Sequence, residues 1–345
     1  MKKYLFLLSI TLLSCQEEIT LDLPQAETKL VVQGAIENGF PAYVTLTKNQ
    51  GYFESIDSIT ISNLYITDAT VSVTRDDGEI RNLTLITQAE IDLVEALIGY
   101  SITIPPNTIY IDLEELSSPG FSIANRSYTL DIVWNDQSIT AETTIPEPTP
   151  LDSLWVEQSE TADKDFKCDI RAIYSDPANI QNNILIRSKR LEHYQREGEH
   201  NDSTLCKIIN EPDMSLKLVD AGADVLIDGE TFETYFPRPI DNGFPSGKYN
   251  SKHNKDCNDS LVKFKEDVVL IKFCQIDEPA MKFWRGLIRQ VGTNGNPFAE
   301  PMNLVSNINN GLGVWTGYGA VYYKVPIIKD TVIIQQYSPE IIDIF

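Results

Sequence analysis

The most constraining feature of this chain is a series of short segments in which β-branched or aromatic residues alternate with polar ones. Such alternation fits pleated strands that bury one face. In the first part of the chain these segments end at turns, and they cover residues 29–34, 43–47, 69–74, 128–133 and 138–141. The turn Asp76-Asp77-Gly78 predicts a hairpin, because glycine readily adopts positive φ. We therefore expect an immunoglobulin-like β-sandwich over residues 25–145.

A cluster of prolines marks a boundary after this region. Pro146, Pro148 and Pro150 lie close together, and proline removes a backbone donor and favours an extended chain. Residues 146–150 are therefore expected to form a stiff connector. The fold class is mainly β, with a second β-rich domain that has long loops over residues 151–345.

The second domain is expected to combine strands with one amphipathic helix. Apolar residues repeat at helical spacing from 280 to 291, Asp277 can cap the first turn, and Pro279 suits its first position. This pattern predicts a helix near 279–291. A shorter helical turn is expected after Thr87, which begins a capping box. The strand patterns of this domain cover residues 166–174, 183–187 and 268–274.

The first residues have the organisation of a secretory signal. Lys2 and Lys3 give a positive start, an apolar run covers residues 5–13, and Ser14 is small. The apolar run has only about half of the roughly 20 residues that a membrane-spanning helix needs. Residues 1–14 are therefore expected to be a signal peptide that is removed.

Two short motifs follow the signal. Leu12-Leu13-Ser14-Cys15 resembles the lipobox of bacterial lipoproteins, so Cys15 is expected to carry the lipid anchor at the start of a linker over residues 15–24. Gln16, Glu17 and Glu18 resemble the acidic export tag of surface lipoproteins in Bacteroidota, and the alternative is a solvated linker. We expect an outer-membrane location, lipid-anchored and facing the cell exterior.

The charge balance excludes one class of partner. The chain has a formal net charge of −22, and removal of residues 1–14 would make it −24 because two lysines and no acids are lost. A strongly acidic protein repels the phosphate backbone, so nucleic acid is not an expected partner. Distributed negative charge of this kind serves mainly for solvation.

Four cysteines remain after the expected cleavage: Cys168, Cys206, Cys257 and Cys274. An even number of cysteines in an exported protein indicates disulfides, and three pairings are possible. We expect Cys206 to pair with Cys257, because both lie in polar, loop-like surroundings. Cys168 and Cys274 lie inside apolar strand patterns and are expected to form the other pair.

The sequence contains no recognisable catalytic constellation or cofactor motif. None of the three histidines, His193, His200 and His253, lies beside a nucleophile motif, and neither H-E-x-x-H nor a phosphate-binding glycine loop is present. These histidines could form a metal site with Cys206 and Cys257, although disulfides with exposed histidines are the preferred interpretation. We therefore expect no catalytic residues, no metal and no cofactor.

Four stretches, taken in their order along the chain, carry a resemblance to a known family. They are residues 29–34 (KLVVQG), 140–146 (TAETTIP), 296–298 with 306–308 (NPF and SNI), and the glycine-rich segment 311–320. This pattern resembles domain-of-unknown-function family 4249 over nearly all of the mature chain. Trp315 stands where the family more often has phenylalanine, and this departure leaves the fold assignment intact.

The resemblance implies a function at the cell surface. The family consists of Bacteroidota outer-membrane lipoproteins that are commonly encoded beside TonB-dependent receptors. It implies that this protein is an accessory or ligand-capture partner of such a receptor, for an unknown small ligand, and it supplies no catalytic residues. Candidate contacts to the ligand or receptor are Trp315, Tyr318, Tyr235 and Phe236. The alternative for Trp315 and Tyr318 is a place in the core of closing strands.

Two other functions remain open from the sequence. The chain could be a structural or adhesion lipoprotein of the cell envelope that uses its β-modules as spacers. It could also be a surface hydrolase with paired carboxylates. With 50 acidic residues, however, any carboxylate spacing can be found, so this pattern does not favour an enzyme.

Overall fold

The architecture is that of a computed structural model. It describes residues 27–50, 63–87, 89–92, 108–158, 167–197, 207–210, 212–223, 228–236, 240–241, 244–245, 249–250, 267–293, 303–328 and 332–345. The signal peptide, Cys15, the export tag of Gln16, Glu17 and Glu18, and the predicted Cys206–Cys257 pair lie outside these residues. Within them, no helix has the length and apolar character needed to span a membrane.

The described chain is built mainly of strands, which confirms the mainly-β fold class. In chain order the strands are β1 Leu30–Glu37, β2 Phe40–Lys48, β3 Thr70–Arg75, β4 Ile80–Asn82, β5 Thr84–Thr87, β6 Thr108–Ile111, β7 Arg126–Trp134, β8 Gln137–Ile145, β9 Ser153–Gln158, β10 Lys167–Ser175, β11 Asn183–Glu192, β12 Tyr194–Glu197, β13 Lys207–Asn210, β14 Lys217–Ala223, β15 Thr231–Tyr235, β16 Ile240–Asp241, β17 Phe244–Pro245, β18 Tyr249–Asn250, β19 Val268–Ile276, β20 Ile308–Asn309, β21 Leu312–Pro326, β22 Val332–Ile333 and β23 Gln336–Tyr337. The helices are α1 Leu113–Ser117 and α2 Glu278–Thr293, and a 3-10 turn covers Ile341–Ile344.

The largest sheet that the described residues form has nine strands, and we call it the central sheet. Its order is β14-β11-β19-β21-β1-β2-β6-β5, and β23 also pairs with β21. β1 and β21 run parallel, with Val31 opposite Leu312 and Glu37 opposite Tyr318. Strands from both sides of the proline-rich connector therefore share one sheet, although residues 146–150 themselves are not strand, as expected.

Two smaller sheets cover one face of the central sheet. The first flanking sheet has the order β20-β8-β7-β3-β4, and the second has the order β15-β10-β9-β22, with β18 paired to β10. Side chains of β1 and β2, such as Val32 and Val44, pack with Leu130 and Ile139 of the first flanking sheet. This sheet-on-sheet packing gives the expected sandwich arrangement.

Helix α2 and the 3-10 turn cover the opposite face of the central sheet. Ala280, Met281 and Trp284 of the helix belong to one core with Leu185 of β11 and Ile344 of the 3-10 turn. Because side chains alternate along a strand, β11, β19 and β21 each contribute to cores on both sides of the sheet. The central sheet is therefore buried between layers.

Local signals in the sequence are confirmed in several places. Helix α2 coincides with the predicted helix, and Asp277 Oδ1 accepts a hydrogen bond from Ala280 N at 2.9 Å. Gly78 has φ of +91° in the turn between β3 and β4. At Thr87, the backbone N–H donates to Glu90 Oε2 at 2.7 Å, as a capping contact requires. Short-range turn and cap chemistry thus agrees with the fold.

The predicted disulfide between Cys168 and Cys274 is wrong, because the structure holds both cysteines as buried thiols that are not joined to each other. Strand β10, which carries Cys168, packs against the face of β19 that presents Ile271 and Phe273. Cys274 lies at the alternate position of β19 and points into the core beneath α2. The two thiols thus lie on opposite sides of the central sheet, which alternation enforces.

Candidate functional site

An apolar cleft opens between the central sheet and the second flanking sheet, and an edge strand of each sheet contributes to its lining. These edge strands are β14 and β15. The cleft has a volume of about 170 Å³. Its walls are formed by Leu151, Tyr174, Ile184, Ile186, Asp220, Ala221, Gly222, Ala223, Phe232, Thr234, Phe236 and Phe273.

Four aromatic rings line the cleft, three of them beside the second flanking sheet and one, that of Phe273, on β19 of the central sheet. The Tyr174 ring lies edge-on to Phe232 at 5.9 Å between centroids and to Phe273 at 5.3 Å. Phe236 also lies edge-on to Phe273, at 6.4 Å. Edge-to-face pairs of this kind hold rings in fixed relative positions. The four rings therefore form a preformed aromatic lining.

Beside Phe273, the central-sheet wall of the cleft is completed by neighbouring residues of β11 and β14. Ile184 pairs with Gly222, and Ile186 pairs with Asp220, so these four residues lie on the same face of the central sheet. A Cβ atom added at Gly222 would meet nothing within 4 Å. The space of the cleft thus exists partly because position 222 has no side chain.

The polar groups around the cleft are few, and they are already engaged. Asp220 is exposed, and its Oδ1 accepts a hydrogen bond from Ala221 N at 2.8 Å. The Tyr174 hydroxyl donates to Asp176 Oδ1 at 3.3 Å. An apolar cavity with polar groups at its rim is suited to binding the apolar part of a ligand.

Phe236 and Tyr235, two of the candidate contact residues, are separated by strand alternation. Phe236 is buried and lines the cleft. Tyr235 is 56% exposed and lies on the outer side of the second flanking sheet. There its ring packs under Arg171 at 4.2 Å, and its hydroxyl accepts a hydrogen bond from Arg171 Nη1 at 2.9 Å. The two residues therefore do not form one site.

Trp315 and Tyr318 are both buried, on opposite faces of β21. Trp315 is 0% exposed, and its Nε1 donates to Tyr128 O at 3.1 Å. Its indole ring occupies the space beside Gly34, where an added Cβ would lie 2.7 Å from Cε3 of the ring. Trp315 is thus a core residue that does not reach the surface for a direct contact.

The glycines beside these aromatic residues serve close packing. An added Cβ at Gly317 would lie 2.2 Å from Thr144 O, and one at Gly319 would lie 2.2 Å from Pro146 O. The end of β8 and the connector therefore pass directly over β21. Only glycine allows this approach, so the glycine-rich segment packs in the core, which was the alternative for Trp315 and Tyr318.

A buried ion pair, which the sequence interpretation missed, lies on the helix-covered face of the central sheet. Lys272 of β19 and Glu37 of β1 are each about 1% exposed, and their side chains are in direct contact. The ammonium lies over the Tyr318 ring at 4.3 Å. Burial alone would lower the pKa of Lys272, but the Glu37 charge, together with smaller contributions from neighbouring acidic groups, holds the pKa above the ordinary value. The sequence did contain an indication of this pair, because Lys272 is a charged residue within the apolar strand pattern of β19.

Beside this pair is a small cavity that we call the basic chamber. Its volume is about 110 Å³. Besides Lys272 it contains a second cation, Arg187 of β11, whose guanidinium lies over the Trp284 ring at 4.4 Å. The chamber is lined by Gln33, Tyr43, Arg187, Ser215, Leu216, Lys272, Tyr318, Ile344 and Phe345.

The described part of the chain contains no group of three or more acidic, histidine or cysteine side chains placed to hold a metal ion. His193 lies with its Nδ1 3.2 Å from Asp267 Oδ2. The other members of the metal site considered above, His200, His253, Cys206 and Cys257, fall outside the residues that are described.

Comparisons with known proteins place the chain in a family but do not assign an activity. The family model described as "Domain of unknown function (DUF4249)" matches residues 16–323. A search of curated proteins found no match. The match covers most of the chain and includes the cleft, the glycine-rich segment and the two cations of the basic chamber, Arg187 and Lys272, whereas Ile344 and Phe345 of the chamber lie beyond it.

Proposed function

Because the chain belongs to the family Domain of unknown function (DUF4249), we propose that it is a surface lipoprotein that captures a ligand for a TonB-dependent outer-membrane receptor. The ligand would be held through an apolar group in the cleft between the two sheets. The role is one of binding, and it requires no catalytic residues.

The observation that carries this proposal is the aromatic cleft. Its four rings are fixed by edge-to-face contacts, and Gly222 leaves space on the central-sheet side of the cleft. Burial of apolar ligand surface contributes about 25 cal/mol per Å², so a cleft of this kind can supply affinity without a charged partner. A protein that serves only as a spacer would gain nothing from such an opening in its core.

The proposed cellular location rests on the first residues of the chain. A lipid on Cys15, after removal of residues 1–14, would hold the folded β-layers near the membrane through a short linker. The acidic residues Glu17 and Glu18 would direct the protein to the outer face. Receptor partnership follows from the resemblance described above, because a captured ligand at this surface needs a transporter to enter the cell.

The proposal can be tested in two steps with the full chain. First, purification in gentle detergent from a bacteroidotal host should recover a TonB-dependent receptor with the wild-type protein. Second, isothermal titration calorimetry with indole should detect binding to the cleft. Gly222→Trp should fill the cleft and weaken indole binding at least about tenfold, since the apolar contact area is lost.

Gly292→Trp provides a matched control, because an added Cβ there also meets nothing within 4 Å and the residue lies in α2, away from the cleft. It should bind indole like the wild type. Equal binding by both variants, or recovery of the lipoprotein without any receptor, would count against ligand capture and favour a structural or adhesion role. Unmodified Cys15 in the purified protein would contradict the proposed lipid anchor and, with it, the proposed location.

A further inference from the structure

We propose that the basic chamber on the helix-covered face of the central sheet is a second binding site, for a small carboxylate. The chamber and the aromatic cleft lie on opposite sides of this sheet, because Lys272 and Tyr318 belong to the face beneath α2. The inference is therefore independent of the cleft and of any receptor.

The charge balance of the chamber is the first step in the argument. Lys272 is neutralised by Glu37, which it contacts directly. Arg187 has no carboxylate within ion-pair distance among the residues that the structure describes, and its Nη1 donates only to Leu216 O, at 3.4 Å. A partly buried cation without a counter-ion is costly. These three side chains together carry a net charge of about +1, which one monoanion would balance.

The geometry of Arg187 is the second step. Its Nε is buried and has no hydrogen-bond partner, so part of the guanidinium fork is available. The Trp284 ring supports the guanidinium at 4.4 Å, and Trp284 is itself fixed by a hydrogen bond from its Nε1 to Thr316 Oγ1 at 3.2 Å. A guanidinium held in this way is preorganised for a planar carboxylate.

The size and walls of the chamber limit the ligand. A volume of about 110 Å³ is several times the space that one water needs, but it is too small for a nucleotide or an oligosaccharide. Leu216, Ile344 and Phe345 give the chamber apolar walls, whereas Gln33 and Ser215 are less buried and mark its mouth. A short acid with a small apolar body fits these walls.

A carboxylate fits better than a phosphate for an electrostatic reason. A phosphate dianion would bring a second negative charge close to Glu37, which already accompanies Lys272. Like charges in a buried site repel strongly. A monoanion balances the chamber without this cost.

The test is isothermal titration calorimetry of the full chain in gentle detergent with propionate. Propionamide, the neutral analogue, and inorganic phosphate at matched ionic strength serve as comparison probes. Wild-type protein should bind propionate, and Arg187→Met should weaken this binding at least about tenfold, because a charge-assisted pair is lost. Arg171→Met is the matched control and should bind normally, since Arg171 lies on the outer side of another sheet and pairs with Glu157 and Glu233.

A second variant keeps the test decisive if Arg187→Met does not fold. Ser215→Trp would fill the mouth of the chamber and leave the guanidinium in place, and it should also abolish propionate binding. The proposal is overturned if propionate gives no binding heat, if propionamide binds equally well, or if phosphate binds instead. Unchanged propionate affinity in both chamber variants would overturn it as well.

Discussion

The two flanking sheets pack on the same face of the central sheet, yet one interface is sealed and the other is open. Against the first flanking sheet, Trp315 fills the space beside Gly34 and is fully buried. Against the second, Ile184, Ile186 and Phe232 are only partly buried, and they border the aromatic cleft. The same packing of sheet on sheet therefore gives a closed core in one place and a binding cavity in the other.

The difference shows that individual side chains, more than topology, decide whether such an interface closes. In the sealed core, glycine allows another group to come close, as Gly34 does for Trp315 and Gly317 does for Thr144. In the open core, Gly222 has no such neighbour and leaves space. Glycine at a strand position thus has two opposite consequences, which mutation can distinguish.

The largest expected effect is that of Trp315→Ala in the sealed core. Removal of a fully buried indole leaves a cavity and breaks its hydrogen bond to the Tyr128 carbonyl, so the free energy of unfolding should fall by about 3–5 kcal/mol. Urea unfolding followed by circular dichroism measures this change. A loss below about 1 kcal/mol would mean that the core is less tightly closed than the contacts indicate.

Gly317→Ala is expected to have the next largest effect. The added methyl group would lie 2.2 Å from a backbone oxygen, Thr144 O, which cannot move as a flexible side chain could. The free energy of unfolding should fall by about 3 kcal/mol, the upper range for overpacking. Gly222→Ala is the matched control in the open core and should change stability by less than about 0.5 kcal/mol. Equal effects of the two substitutions would contradict the distinction between the sealed core and the open core.

Local features of the fold could be predicted from the sequence, because their causes lie within a few residues. The hairpin at Gly78, the cap at Asp277 and helix α2 all depend on neighbours in the chain. The parallel pairing of β1 with β21 could not be predicted, because it joins residues near the two ends of the described chain. No local pattern records such a pairing, so a sheet shared across the proline connector was not expected.

The site residues show the same limit. Phe236 was identified as a candidate and does line the cleft. Its neighbour Tyr235 was grouped with it, although alternation along the strand puts the two on different sides. The importance of Gly222 and Arg187 depends on what lies opposite them in space. A sequence pattern could indicate that a strand is half-buried, but not that its partner leaves a cavity.

Phe236→Ala should have a smaller effect on stability than Trp315→Ala, even though Phe236 is also buried. Because the residue already borders an open cleft, truncation enlarges an existing space and does not create a new enclosed cavity. We expect a loss of about 2 kcal/mol, which corresponds to the transfer of the side chain alone. Urea unfolding measures this loss, and a value as large as that of Trp315→Ala would show that the cleft is closed in solution.

The smallest expected effect concerns Cys274, which lies on the helix-covered face of the central sheet. It tests whether water is excluded from that face as it is from the sealed core. Burial raises the pKa of this thiol to about 12 from the ordinary value of 9.0. The folded protein should therefore keep the thiol proton at a pH where the unfolded chain loses it. Stability should consequently fall as the pH rises above 9, by about 1 kcal/mol near pH 10.

Cys274→Ala removes the titrating group, so the difference in unfolding free energy between wild type and variant should shift by this amount between pH 8 and pH 10. Tyr43, whose pKa burial also raises to about 12, is present in both proteins, and its contribution cancels in the difference. A pH-independent difference would indicate that water reaches Cys274. The helix-covered face would then resemble the open core more than the sealed one.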